Sequence, residues 1–204
     1  MKLAERRQRF VDVAEQLFLQ RGYSGVSVNE VVRLAGGSLA TLYAEFGTKE
    51  ELFEAVMSRR IASFFDPLSS AEADAADDVR AGLQLLAARI QERMLSPDSL
   101  AMYRLAVSEG PRFPALRRAV LSNGLDSALQ RLGEHFAQLA QRHRLRIDDP
   151  RLAAERFVAL VQGQHQFIAA CGSASSLSRE QRASQIEQAV SAFLSIYRSA
   201  PAAE

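Results

Sequence analysis

The stretch SVNEVVRLAGGSLATLYAEFGTKEE, from Ser27 to Glu51, decides the fold of this chain. Its hydroxyl residues stand where helices begin, and its glycines stand where helices end. Ser27 precedes Glu30 by three residues, which is the spacing of a capping box. A glycine pair after Ala35 ends this first helix, and Ser38 is a suitable N-cap for a second. The apolar positions of the first helix are Val28, Val31, Val32 and Leu34.

The second helix is predicted to have an inward and an outward side. Leu42 and Phe46 lie four residues apart and face inward. The outward residues are Leu39, Ala40, Thr41 and Tyr43. Thr48 and Glu51 form a further capping box, so a third helix is predicted to start at Lys49. The stretch therefore starts three helices within about two dozen residues.

Two short helices joined by a glycine turn are typical of the helix-turn-helix, whose second helix enters the major groove of DNA. A plain helical corner inside a bundle has the same pattern. Lys49 favours DNA binding, because it is one of only two lysines beside twenty-three arginines and lies where the helix dipole disfavours a cation. A DNA phosphate at that helix N-terminus would account for its position.

The opening helix has an apolar stripe, which predicts a packing face against the two helices that follow. The stripe consists of Phe10, Ala14, Leu17 and Phe18. Basic residues precede it, and Arg6, Arg7 and Arg9, with Lys2, would reach a phosphate backbone or a minor groove. A solvated basic face, balanced by Glu5 and Asp12, explains these arginines equally well.

The run from Arg9 to Leu52 resembles the N-terminal domain of TetR-type transcriptional regulators. The matching residues are Leu17, Phe18, Gly22, Tyr23, Ser27, Val28, Ala35, Gly36, Thr41, Leu42, Tyr43, Phe46, Lys49 and Glu50. The resemblance implies that Thr41, Tyr43 and Lys49 approach DNA phosphates, while the outward side of the second helix reads bases.

Three positions depart from the commonest pattern of that family. Gly37 stands where a branched apolar residue is usual, and Leu39 and Ala40 stand where polar residues or glycine are common. Apolar side chains cannot form bidentate hydrogen bonds with bases, so we expect more reliance on DNA shape and phosphates. The predicted DNA-contacting residues are Arg6, Arg9, Ser27, Gly37, Ser38, Leu39, Ala40, Thr41, Tyr43 and Lys49.

The composition narrows the class of protein. A chain of 204 residues buries roughly 70% of its unfolded surface, enough for one or two domains. The net charge of +1 means that nucleic acid must bind through a local patch. The single cysteine, Cys171, excludes an intramolecular disulfide and multi-cysteine metal sites. No apolar run approaches the roughly 18 residues that span a bilayer, so we expect a cytoplasmic protein without membrane segment, metal or cofactor.

The remaining pattern predicts an all-α fold of about nine helices. Helices are predicted at Val79–Leu95, Asp98–Glu109, Pro114–Arg144, Pro150–Cys171 and Arg179–Arg198, after the Lys49–Phe65 helix and a loop at Ser69–Asp78. We predict a helix-turn-helix DNA-binding domain at residues 1–48. Residues 49–204 are predicted to form a helical effector-binding and dimerisation domain.

The region from Leu100 to Gly172 resembles the ligand-binding half of one branch of TetR-type regulators, through YRLAVSEGPRFPAL at 103–116 and RIDDPRLAAERF at 146–157. The resemblance implies dimerisation through the last two long helices. Compatible apolar residues are Leu160, Val161, Phe167, Ile168, Ile186, Val190, Phe193, Leu194 and Tyr197. These residues form two apolar stripes, one from Leu160 to Ile168 and the other from Ile186 to Tyr197. Alternatively, both stripes face the protomer's own core.

A ligand would bind between helices, in a mostly apolar cavity with a few polar groups. The candidates are Leu86, Ile90, Met102, Tyr103, Phe113, Leu121, Leu125, Phe136, Phe157, Gln164 and His165. Such residues at helical spacing are more often plain core. Their aromatic and methionine character favours a small apolar effector.

No enzymatic motif has the context it requires. The segment from Gly36 to Ala40 partly matches a nucleophile elbow, but no strand precedes it and the last glycine is missing. We therefore predict a homodimeric repressor that binds a double-stranded palindromic operator and is released by a small-molecule effector. The alternative is a helical ligand-binding or protein-interaction module without specific DNA binding, which would shift no DNA fragment.

Overall fold

The computed structural model describes residues 3–65, 78–143, 145–172 and 178–197, and every regular element in these ranges is a helix. The predicted all-α class is confirmed. The helices are α1 Leu3–Arg21, α2 Val28–Ala35, α3 Leu39–Phe46, α4 Lys49–Phe65, α5 Val79–Met94, α6 Pro97–Glu109, α7 Pro114–Arg118, a π-helical segment Ala119–Asp126, α8 Ser127–His143, α9 Pro150–Gln162, α10 His165–Ala170 and α11 Arg179–Tyr197. None of the helices described is long and apolar enough to cross a membrane.

Two predicted helices are interrupted, which raises the number of α-helices in the described ranges from nine to eleven. The helix predicted from Pro114 to Arg144 contains the π-helical segment, and the helix predicted from Pro150 to Cys171 breaks at Gly163. Gly163 has φ of 49°, a left-handed conformation that glycine adopts without strain. The predicted loop at Ser69–Asp78 lies outside the described residues except for Asp78, which caps α5.

The helix caps explain where the short helices start. The Ser38 Oγ accepts a hydrogen bond from the Thr41 N–H at 3.1 Å. Ser27 is the N-cap of α2, but its side chain accepts no hydrogen bond, so the capping box predicted there is wrong. Glu30 instead accepts from Arg21 Nη1, at 3.0 Å to each carboxylate oxygen. A charge-assisted bond is stronger than a neutral one, which explains why Glu30 turns away from the cap.

The chain forms two compact units, one of residues 1–64 with 101–125 and the other of residues 65–100 with 126–204. The first unit has a core of α1 to α4 residues, with Phe10, Phe18, Leu42 and Phe53 fully buried. This confirms the inward stripe predicted for α1. The first compact unit extends past the predicted domain boundary at residue 48, and that functional boundary stays a prediction.

The second unit packs α5, α8, α9 and α11 around an aromatic cluster. Phe136 lies edge-on to Phe157, with ring centroids 5.3 Å apart, and Phe193 lies 5.0 Å from Phe157. Tyr197 extends the cluster at 4.8 Å from Phe193. Aromatic pairs at these separations add about 0.5 to 1.5 kcal/mol each beyond burial, so the cluster stabilises this unit.

Candidate nucleic-acid interface

The turn between α2 and α3 is shaped by close packing on α1. Gly36 has φ of 71° and open space around it. A Cβ at Gly37 would lie only 2.9 Å from Cζ of Phe10, a distance that real Cβ atoms do not tolerate. The bare backbone at Gly37 therefore has a packing reason, which the sequence pattern did not reveal. Its contact with DNA stays a prediction.

The outward side of α3 is apolar. Leu39 is 38% exposed and Tyr43 is 47% exposed, whereas Leu42 is fully buried. Thr41 is half-buried, and its hydroxyl lies 2.9 Å from Ser38 Oγ. The predicted inward and outward sides of α3 are confirmed, and the outward one offers van der Waals contact rather than bidentate hydrogen bonding.

Leu34 is exposed, which the sequence pattern did not indicate. It belongs to the apolar positions of α2, yet it is 47% exposed. Val31 and Ala35 are the buried residues of that helix. Sequence periodicity could not separate Leu34 from its buried neighbours, because α2 has only eight residues.

Lys49 is the first residue of α4 and is held by the protein itself. Thr48 caps this helix, since its Oγ1 accepts from the Glu51 N–H at 3.1 Å. The Lys49 Nζ lies 4.3 Å from the centroid of the Tyr23 ring, within cation–π distance. Burial lowers the pKa of Lys49, and the charge of Glu109 partly offsets that. The lysine thus stays at the helix N-terminus, where backbone N–H groups also point outward.

Tyr23 is the support for this lysine. Its ring packs against Phe53 at 5.0 Å and against Phe113 at 4.1 Å. Burial raises the pKa of Tyr23, and Glu50 and Glu109 raise it further. Tyr23 entered the sequence analysis only as a motif position. The signal that it holds Lys49 is absent from the sequence pattern, because the residues lie twenty-six positions apart.

The basic residues of α1 divide into different environments. The guanidinium of Arg7 lies 5.1 Å from the Phe46 ring centroid. Arg6 is half-buried and Arg9 is exposed, so Arg9 has the more accessible head group. Contact of Arg6 and Arg9 with DNA stays a prediction.

A charge network joins α1 to α4. Arg59 Nη1 donates to Asp12 at 2.6 Å, and Arg59 Nη2 also donates to Glu15. Arg60 Nη1 donates to the other oxygen of Glu15 at 2.5 Å. Asp12 therefore pairs with Arg59 of α4. The alternative interpretation supposed that Asp12 balances the basic end of α1. The network ties the helix that carries Lys49 to the first helix.

The predicted pocket residues fall in both compact units. Met102, Tyr103 and Phe113 belong to the first unit, together with the exposed Leu121 and Leu125. The second unit contains Leu86, Ile90, Phe136, Phe157, Gln164 and His165. Four of these six, namely Leu86, Ile90, Phe136 and Phe157, are buried in its core. Their role in ligand binding stays a prediction.

The predicted dimer residues need a correction. Five of them are buried within the protomer's own core: Val161, Val190, Phe193, Leu194 and Tyr197. They cannot present a surface to a second chain, and the alternative that the stripes face the core holds for them. The break at Gly163 separates Phe167 from this stripe and leaves it 62% exposed. Leu160, Ile168 and Ile186 are partly buried.

The described residues contain no group of three or more His, Cys, Asp or Glu side chains that could hold a metal ion. The buried side chain of Gln91 pairs with another amide. Gln91 is 4% exposed, and its Nε2 donates to Gln185 Oε1 at 2.8 Å. Gln185 Nε2 also lies 3.3 Å from the position that a Cβ would take at Gly163, next to His165. The sequence pattern predicted no role for Gln91 or Gln185.

Two family models match the chain. The model described as bacterial regulatory proteins, tetR family, matches residues 10–56. The model described as AefR-like transcriptional repressor, C-terminal domain, matches residues 81–199. Together they cover both the helix-turn-helix and most of the helices that follow.

Curated relatives match over about a quarter of the chain. The HTH-type transcriptional repressor ComR of Escherichia coli is 45% identical over 58 residues, which is 28% of this chain and 28% of ComR. The HTH-type transcriptional activator FasR of Mycolicibacterium smegmatis is 37% identical over 57 residues, or 28% of this chain and 26% of FasR. The matched segment thus spans about a quarter of these relatives. ComR is a repressor, whereas FasR is an activator.

Solved structures match along nearly the whole chain. A protein from Mesorhizobium loti assigned to the TetR family superposes with a TM-score of 0.90 at 26% identity, covering 98% of this chain and 100% of that one. The flavonoid-responsive regulator FrrA superposes with a TM-score of 0.82 at 29% identity, covering 97% and 100%. The helical architecture after α4 is therefore shared as well.

Proposed function

Because the chain belongs to the TetR family of bacterial transcriptional regulators, we propose that it is a homodimeric repressor of a palindromic operator, released by a small-molecule effector. In this proposal α3 enters the major groove, and Thr41, Tyr43 and Lys49 contact phosphates. DNA binding places the protein in the cytoplasm. The observation that carries the proposal is the pairing of an exposed apolar α3 with a lysine at the adjacent N-terminus of α4.

The geometry of a dimeric helix-turn-helix protein makes the proposed switch possible. A dimeric helix-turn-helix protein presents two reading helices about 34 Å or a related spacing apart, so small changes of α4 spoil the fit to DNA. Phe167 of α10 and Ile196 of α11 are exposed apolar residues near the C-terminal end of the chain. We propose that these two residues, with Leu160, Ile168 and Ile186, contribute to the contact with the second copy.

The effector is proposed to be a planar aromatic molecule with hydroxyl groups. FrrA, a structural relative at 29% identity, is flavonoid-responsive. The paired amides of Gln91 and Gln185, beside His165, would supply hydrogen-bonding groups for such hydroxyls among apolar neighbours. A panel of flavonoids in a thermal-shift assay tests this class, since a ligand that binds the folded state raises the unfolding temperature.

Selection of genomic fragments with the purified protein, followed by fluorescence anisotropy on the selected site, tests operator binding. If a dimer neutralises about six phosphates, affinity should fall about a thousandfold between 50 and 200 mM salt. Recovery of no fragment would refute the proposal and favour the helical interaction module. Loss of the complex on addition of a bound flavonoid would establish the effector class.

A further inference from the structure

Glu109 is the last residue of α6, and its side chain lies beside Gly22 rather than in solvent. Its side chain is only 13% exposed. Its Oε1 lies 3.7 Å from the position that a Cβ would take at Gly22, so the carboxylate packs against the backbone next to Tyr23. Tyr23 in turn lies under the ammonium of Lys49 at 4.3 Å. A negative charge thus sits against the support of Lys49.

The partners of this carboxylate leave it incompletely neutralised. Arg112 is the nearest cation, with Nη1 at 3.9 Å from Oε2, and its side chain is 67% exposed. That distance is too long for a hydrogen bond, and among the described residues Oε2 accepts none. Glu109 also acts on Lys49, whose pKa it raises against the lowering by burial. Glu50 is the other acid whose charge reaches Tyr23.

We propose that Glu109 competes with the DNA phosphate for Lys49 and so limits the affinity of the operator complex. This inference rests on the proposed function and assigns a positioning residue to it. A phosphate that reaches the N-terminus of α4 brings negative charge toward a half-buried carboxylate, where water screens the repulsion poorly. Part of the attraction that Lys49 offers to DNA is already used by Glu109.

Glu109→Gln removes the charge and keeps the shape. Fluorescence anisotropy with the selected operator should show binding about threefold to tenfold tighter than that of the unaltered protein at low salt. Glu92→Gln is the matched control, because Glu92 is exposed on α5 and its replacement changes the net charge by the same amount. Unchanged or weaker binding by Glu109→Gln, or an equal gain in the control, would overturn the proposal.

A double-mutant cycle separates competition for Lys49 from a general structural role. In a Lys49→Met background, Glu109→Gln should change affinity by less than about twofold, because the group it competes for is gone. An equal gain in both backgrounds would show that Glu109 acts elsewhere. Glu109→Asp keeps the charge but withdraws the carboxylate by one methylene, so a smaller gain than that of Glu109→Gln is expected.

A measurement without DNA keeps this inference distinct from the proposed function. The chain has only two lysines, so reductive ¹³C-methylation followed by NMR yields few resolved lysine signals. Glu109→Gln should lower the pKa of Lys49, since the carboxylate that raises it is removed. No change in the titration would refute the contact even if the protein binds DNA. A lowered pKa in a protein that binds no DNA would instead refute the operator function alone.

Discussion

The helix-turn-helix and the helices of the second unit use apolar side chains in opposite ways. On the short helices α2 and α3, the side chains of Leu34, Leu39 and Tyr43 are exposed. On α9 and α11, Phe157 and Phe193 are fully buried in a cluster drawn from helices far apart in sequence. The exposed side chains are available for contact, whereas the buried ones hold the scaffold. The contrast separates the exposed side of the helix-turn-helix from the core of the second unit.

The variant with the largest expected effect tests whether Phe193 of α11 belongs to the protomer's core. Phe193→Ala should lower the free energy of unfolding by about 3 to 5 kcal/mol, because it leaves a cavity among Phe136, Phe157 and Tyr197. Urea denaturation followed by circular dichroism measures it. Phe167→Ala is the control, and its effect on protomer stability should stay within about 0.5 kcal/mol. Similar losses in both variants would contradict the assignment of Phe193 to the core.

The next effect concerns the turn that presents α3. Gly37→Val should destabilise the protein by about 1 to 3 kcal/mol, because its Cβ would lie 2.9 Å from Phe10. Gly36→Ala meets open space and should cost only the strain of a positive φ, about 1 kcal/mol. Thermal unfolding of both variants measures the difference. If Gly37→Val were as stable as the unaltered chain, the close approach of Phe10 would not constrain this turn.

Variants with a smaller expected effect test whether the proposed DNA-contacting residues divide into phosphate contacts and base contacts. Lys49→Ala should weaken binding about tenfold on every DNA sequence and reduce the salt slope by roughly one. Leu39→Gln should alter sequence preference instead, because it introduces hydrogen-bonding groups where the side chain is apolar. Arg179→Ala serves as the control, because it removes one charge from an exposed position on α11. A sequence-selective loss in Lys49→Ala would reverse the two roles.

The smallest expected effect tests the ion network between α1 and α4. Arg59→Gln should lower the free energy of unfolding by about 0.5 to 1 kcal/mol, because the guanidinium is one-third exposed and solvent screens its pairs with Asp12 and Glu15. The loss should shrink at high salt. Chemical denaturation at two salt concentrations measures it. A loss that does not depend on salt would mean that Arg59 acts through packing of its aliphatic part.

Much of the fold could be predicted from local signals. The bounds of α4 and the start of α5 agree with prediction, because proline and capping residues act within one helical turn. The predicted outward side of α3 is also confirmed, since two buried residues four apart suffice to orient a short helix. The capping box at Ser27 failed because Arg21, outside that turn, offers Glu30 a stronger bond.

The sequence by itself determined the helical class, the helix-turn-helix and the position of Lys49 at a helix N-terminus, because each depends on neighbours within a few residues. Only the tertiary structure decided that Tyr23 supports Lys49, that Phe10 requires a glycine at position 37, and that Phe193 faces the core. The break at Gly163 turned Phe167 outward and separated it from a stripe that looked continuous. These outcomes depend on contacts between residues distant in sequence, and periodicity within one helix specifies a face but not what covers it.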